Sequence, residues 1–114
     1  MLSIENLKAL GANTEEGLTR CMGKEDFYFR MIKMGMQDEG YGRLQEALEA
    51  GDLTAAFEAA HALKGVAGNL SLTPLYEALS DITERLRAKE DADYPALLAK
   101  VLEQKDAFRA LCED

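Results

Sequence analysis

With 114 residues and a formal net charge of −8, the chain is long enough for one domain whose core needs no disulfide or metal staple. Its 47% hydrophobic residues are rich in Ala and Leu, with two prolines and few β-branched residues, which predicts an all-α protein and argues against a sheet. The acidic balance argues against nonspecific nucleic-acid binding, which depends on Lys and Arg neutralising phosphates, and it suits protein partners.

Residues 3–10 read as a short helix capped by Ser3 and ended at Gly11, and Thr14-Glu15-Glu16 opens a second, with Thr14 as N-cap and acids in its first turn. These two pieces form a lid. From Lys24 to Gln37, the residues Phe27, Tyr28, Phe29, Met31, Ile32, Met34 and Met36 cover an arc too wide for one buried stripe, so part of that helix stays exposed. Gly40 and Gly42 mark a break, and Tyr41 to Ala50 carries Leu44, Ala47 and Leu48 on one face before Gly51 stops it.

Asp52 caps the helix that carries His61. Thr73 as N-cap and Pro74 at the first helical position open the next, with Leu75, Leu79, Ile82 and Leu86 at i, i+4, i+7 and i+11. That helix fades in the charged run 87–91. Asp93 and Pro95 start the last one, lined by Leu97, Leu98, Val101, Leu102, Phe108 and Leu111. Four long amphipathic helices with short connections predict an antiparallel up-down-up-down four-helix bundle with a short N-terminal helical lid, a single domain over residues 1–114.

No apolar run approaches the roughly 20 residues that span a bilayer, and the N-terminus lacks the regions of a signal peptide, so the expectation is a cytoplasmic protein without membrane contact. Cys21 and Cys112 lack metal-ligand spacing; they are expected to be idle thiols, with no metal site.

The densest chemical signal is His61-Ala62-Leu63-Lys64-Gly65-Val66-Ala67-Gly68, which holds the only histidine. On a helix turning about 100° per residue, Lys64, Gly65 and Gly68 share the histidine's face. The apolar face of Leu53, Ala56, Ala60, Leu63, Ala67 and Leu70 is centred roughly 130° away, so His61 points outward. Each glycine costs a helix interior about 0.8–1 kcal/mol against alanine. Glycines at 65 and 68 remove bulk beside the imidazole and let a large group or a partner backbone come close, or else let a neighbouring helix pack tightly. Lys64 adds a flexible positive charge.

His61-Ala-Leu-Lys64-Gly65 followed by Gly68-Asn69-Leu70, on a helix of a small bundle, resembles the histidine-containing phosphotransfer (HPt) domain of bacterial multistep phosphorelays, over nearly the whole chain. The resemblance implies that His61 accepts a phosphoryl group from an aspartyl phosphate on a response-regulator receiver domain and passes it to another receiver aspartate. It implies receivers and a hybrid histidine kinase as partners, a monomer, and a Mg²⁺ ion held by the receiver, with no cofactor on this chain. A neutral imidazole with a free ring nitrogen is a nucleophile without a helper base, and Lys64 offsets the incoming charge.

Two positions depart from the family pattern: Ser71 stands where a glycine is common, and Thr83 where a glutamine or glutamate holds the imidazole. Thr83 is then the expected, shorter-reaching support, and Arg87, one turn on, a second positive charge near the site. Met34 and Met36 are candidates for an apolar patch that docks a receiver. No nucleotide-binding fingerprint is present, so the chain is expected to be a phosphocarrier without ATP binding or kinase activity. The alternatives are an adaptor that binds receivers or kinases without transfer, and an enzyme or cofactor-binding bundle, which would need carboxylate and histidine ligands repeated across helices and which a single histidine disfavours.

Overall fold

Side-chain caps set where most helices begin. In the computed structural model, which describes residues 1–113, the hydroxyl of Ser3 accepts from the Asn6 amide, the Asp52 carboxylate from Ala55, and the Asp93 carboxylate from Ala96, each at 3.0–3.1 Å. The described residues form seven helices: α1 Ile4–Ala9, α2 Thr14–Arg20, α3 Glu25–Met36, α4 Gly40–Glu49, α5 Leu53–Asn69, α6 Thr73–Arg87 and α7 Tyr94–Leu111. Among them there is no strand, and the all-α expectation is met.

Two caps differ from those expected. Asn13, not Thr14, caps α2, its side-chain oxygen accepting from Glu16 N at 3.2 Å while Thr14 is already helical and buried. At α6 the cap position falls on Leu72, which has no side-chain acceptor to offer, and Thr73 precedes Pro74 inside the first turn. Proline tolerates that turn because its missing N–H would have no partner there.

The α5 stripe is buried as its period requires: Ala56, Ala60, Leu63, Ala67 and Leu70 are inside and Leu53 is half-buried. It packs against α4 on one side and α6 on the other, while α7 closes against α6, α4 and α3. From α6 come Leu75, Leu79, Ile82 and Leu86, all inside. Val101 and Phe108 are the buried residues of α7, and Leu97, Leu98, Leu102 and Leu111 lie half-buried at its rim. Full burial of a Leu or Ile side chain is worth about 1.5–3 kcal/mol, so this layer carries much of the fold.

In α3 the wide apolar arc divides. Tyr28, Ile32 and Met36, four residues apart, face inward, whereas Phe27 and Met34, seven apart, share an exposed face. Met34 is 59% exposed but Met36 only 3%, so Met36 is a core residue and not part of an apolar docking patch. The physical reason is register: Met36 continues the Ile32 row, and Met34 does not.

The segment that carries α1 and α2 is pinned to the α5–α6 turn. Gly11 ends α1 at φ +95°, and a Cβ there would lie 2.8 Å from Pro74 Cγ, so glycine serves both the backbone and the close approach. The Asn13 amide donates to the Ser71 carbonyl at 2.9 Å. From α3, the Tyr28 hydroxyl donates to the Leu70 carbonyl at 2.8 Å, and burial pushes that phenol up to about 12, so it remains a donor at neutral pH. Both cysteines are free. Cys21 is buried, and burial raises the Cys112 thiol above its ordinary value, which disfavours the reactive thiolate. No helix among the described residues is long and apolar enough to cross a membrane.

Candidate functional site

His61 stands near the middle of α5 with its side chain exposed. Four residues earlier on the same face, Phe57 lies against the imidazole, the ring centroids 5.5 Å apart and the planes 17° from parallel. Neither ring nitrogen has a hydrogen-bond partner among the described residues. The edge of the imidazole is thus open and one of its faces is occupied.

Lys64, one turn on, is half-buried and forms no salt bridge among the described residues. Its ammonium lies 5.7 Å from the centre of the Tyr76 ring, a cation–π contact that holds the stem while leaving the charge uncommitted to any carboxylate. The two glycines prove to have different surroundings. A Cβ on Gly65 would meet nothing within 4 Å, whereas one on Gly68 would sit 3.1 Å from the Tyr76 ring. Gly68 therefore serves helix packing, and Gly65 leaves a bare stretch of backbone facing solvent beside His61.

These residues border an open depression of about 460 Å³ whose far wall comes from α2, through Glu16 and Arg20. Glu16 accepts from the Ser71 hydroxyl at 2.9 Å and pairs with Arg20 at 3.5 Å, while Arg20 also donates to the Asn69 side chain at 3.4 Å. Ser71 itself adopts φ +57°. That left-handed conformation is one glycine adopts without strain, and the bond to Glu16 is what serine adds.

The two supports expected from α6 are placed differently. Thr83 is fully buried, its hydroxyl has no partner among the described residues, and it makes no bond to His61, so the expected contact is absent. Its position follows from spacing, since it lies four residues after Leu79 and beside Ile82 in the row facing the core. Arg87 is exposed; its guanidinium carbon lies 4.9 Å from the centre of the Phe57 ring, and its Nε donates to the Glu84 carboxylate at 3.3 Å. It reaches the histidine only through that ring. Met34 is exposed on α3 as described, and Met36 is not.

Phe57, Tyr76, Glu16 and Arg20 were not anticipated. Phe57 carried a usable signal, being an aromatic at i−4 from the histidine, where helical side chains meet. Glu16 and Arg20 carried none, because nothing local in residues 14–20 says which distant helix they pack beside. No three His, Cys, Asp or Glu side chains gather as a metal site would need among the described residues. The chemistry on display is an open imidazole edge with a lysine and bare helix backbone one turn on.

Comparison with known proteins returns the Hpt domain, whose family model matches residues 36–113. No curated protein and no solved structure matches the chain. The match takes in His61, Lys64, Gly65 and the helices α4 to α7 that carry and support them, while α1, α2 and most of α3 lie before it. Hpt domains are phosphocarrier modules that act in histidine phosphotransfer with receiver domains and histidine kinases of phosphorelays. The match extends over more than half of the sequence, and the chain belongs to the Hpt domain family.

Proposed function

We propose that the protein is a phosphorelay intermediate in which His61 takes a phosphoryl group from an aspartyl phosphate on one receiver domain and hands it to an aspartate on another. The observation that carries this is the sole histidine, exposed in mid-helix beside an open glycine and a lysine that has no salt bridge among the described residues. In the forward step the lone pair of one imidazole nitrogen attacks phosphorus in line with the acyl phosphate bond. The N–P bond forms, the P–O bond breaks, and the receiver's carboxylate leaves with the electron pair, while the proton stays on the other ring nitrogen. The return step reverses these bonds on a second receiver.

Such transfers rest on positioning and charge more than on covalent machinery. Lys64 meets the charge of the phosphoryl oxygens, and Gly65 admits the partner's backbone. The receiver supplies its acidic pocket and Mg²⁺. This chain works without ATP or kinase activity of its own, as a cytoplasmic monomer of one domain. Packing of α4 on α5, α5 on α6, α6 on α7 and α7 back on α3 and α4 supports the antiparallel up-down-up-down bundle, with α1 and α2 as its lid. Docking falls to the exposed α3 face of Phe27 and Met34, since methionine suits adaptable interfaces.

The experiment mixes the protein with phosphorylated receiver domains and follows both phosphoryl transfer and binding, in wild type and in His61→Gln. A carrier labels in wild type only, with receiver binding retained in the variant. An adaptor binds in both and labels in neither, and that result would sink the proposal.

A further inference from the structure

A nucleophilic imidazole must present one ring nitrogen along a defined line, yet χ2 of histidine is a broad, soft torsion. The common solution is a hydrogen bond at the other ring nitrogen. No such bond reaches His61 among the described residues, and the hydroxyl expected to supply it, on Thr83, is sealed in the core. Something else must orient the ring.

The geometry points to Phe57 as the positioning residue for His61, with Arg87 fixing Phe57 in turn; this rests on the proposal that His61 is the phosphoryl acceptor. The near-parallel stack at 5.5 Å and 17° confines χ2 by contact with a ring face and leaves both nitrogens free at the ring edge. Phe57 is half-buried, so its own freedom is small, and the Arg87 guanidinium 4.9 Å from its centre ties it to α6. Arg87 is in turn anchored through Nε to both oxygens of Glu84. The result is a chain of contacts, Glu84 to Arg87 to Phe57 to His61, that links the nucleophile to the neighbouring helix without using a ring nitrogen.

Charge placement follows from the same stack. Arg87 stacks on Phe57, which precedes the histidine by one turn, and Lys64 lies one turn beyond it, so cations from two helices stand on either side of His61 along α5. Arg87 acts on orientation first, because its contact is with Phe57 and not with the imidazole.

The test uses the full chain as wild type, Phe57→Leu, Phe57→Tyr and Arg87→Gln. Single-turnover transfer from a phosphorylated receiver is measured across receiver concentrations, and the His61 ring protons are followed by NMR in the free protein. Phe57→Leu is expected to lower the maximal transfer rate roughly three- to tenfold at unchanged half-saturation and to remove the ring-current shift at His61. Phe57→Tyr is expected to retain both, and Arg87→Gln to give a smaller rate loss. Thermal melts identify any variant that fails to fold, and the tyrosine variant then carries the comparison with Arg87→Gln. Wild-type rates in Phe57→Leu and Arg87→Gln, unmoved His61 resonances, or a loss confined to half-saturation would overturn the positioning role. A wild-type protein that takes up no phosphoryl group would instead overturn the function itself.

Discussion

Gly65→Ala separates what the free protein needs from what its partner needs. The new Cβ meets nothing within 4 Å, and the backbone there is ordinary α-helix in the interior of α5. Alanine should therefore stabilise the protein by about 0.8–1 kcal/mol through helix propensity alone, which for a chain of this size raises Tm by about 4 °C. If a receiver's backbone comes down on this spot, the same carbon intrudes between two preformed surfaces. By analogy with overpacked cores that costs about 1–3 kcal/mol, or about five- to 150-fold in transfer efficiency at low receiver concentration. Thermal melts and transfer kinetics on one preparation read both quantities. Gly68→Ala is the contrast, because its Cβ would press on the Tyr76 ring at 3.1 Å, and its gain in stability should be smaller. A Gly65→Ala protein that is more stable and transfers at the wild-type rate would refute the idea that this glycine is there for the partner.

At Ser71, glycine and alanine both lose the hydroxyl bond to Glu16, so comparing them isolates the φ +57° backbone. Left-handed strain of about 1–2 kcal/mol, less the extra chain entropy glycine gives up, about 0.5–1 kcal/mol, leaves Ser71→Gly more stable than Ser71→Ala in denaturant titrations. Tyr28→Phe orphans the Leu70 carbonyl and should cost about 1–3 kcal/mol. Because the folded phenol is raised from 10.0 to about 12, its contribution is fully present below pH 10 and is lost as pH climbs through 12, by up to about 1.4 kcal/mol per pH unit. Tyr28→Phe should blunt that alkaline loss in urea melts run across pH. Met36→Ala should destabilise by about 2–5 kcal/mol, as for other buried side chains. Met34→Ala should leave the melt within about 0.5 kcal/mol and weaken receiver binding, which titration calorimetry reads.

Helix starts were readable where an acidic or hydroxyl side chain stood alone before an apolar period, at Ser3, Asp52 and Asp93. They slipped by one residue at Thr14, where Asn13 competes for the cap, and at Thr73, where the helix starts one residue earlier than the hydroxyl suggests and the cap position falls on Leu72. The outward direction of His61 followed from counting 100° per residue against an unbroken apolar stripe. The same count places Thr83 and Met36 inside, as continuations of the Leu79 and Ile32 rows, and the structure agrees with the count over the functional expectation. Arg20 and Glu16 were out of reach, because their place at the site depends on contacts between distant segments: Gly11 on Pro74, Asn13 on Ser71 and Tyr28 on Leu70.

The central claim is that His61 carries a phosphoryl group between two receivers, and a two-step chase tests it most directly. The protein is labelled from one phosphorylated receiver, purified away from it, and offered to a second, unphosphorylated receiver, with the label mapped by peptide mass spectrometry. The account predicts an alkali-stable, acid-labile label on the peptide containing His61 that then moves to an aspartate of the second receiver. Label on any other residue, or label on His61 that no receiver can remove, would contradict it.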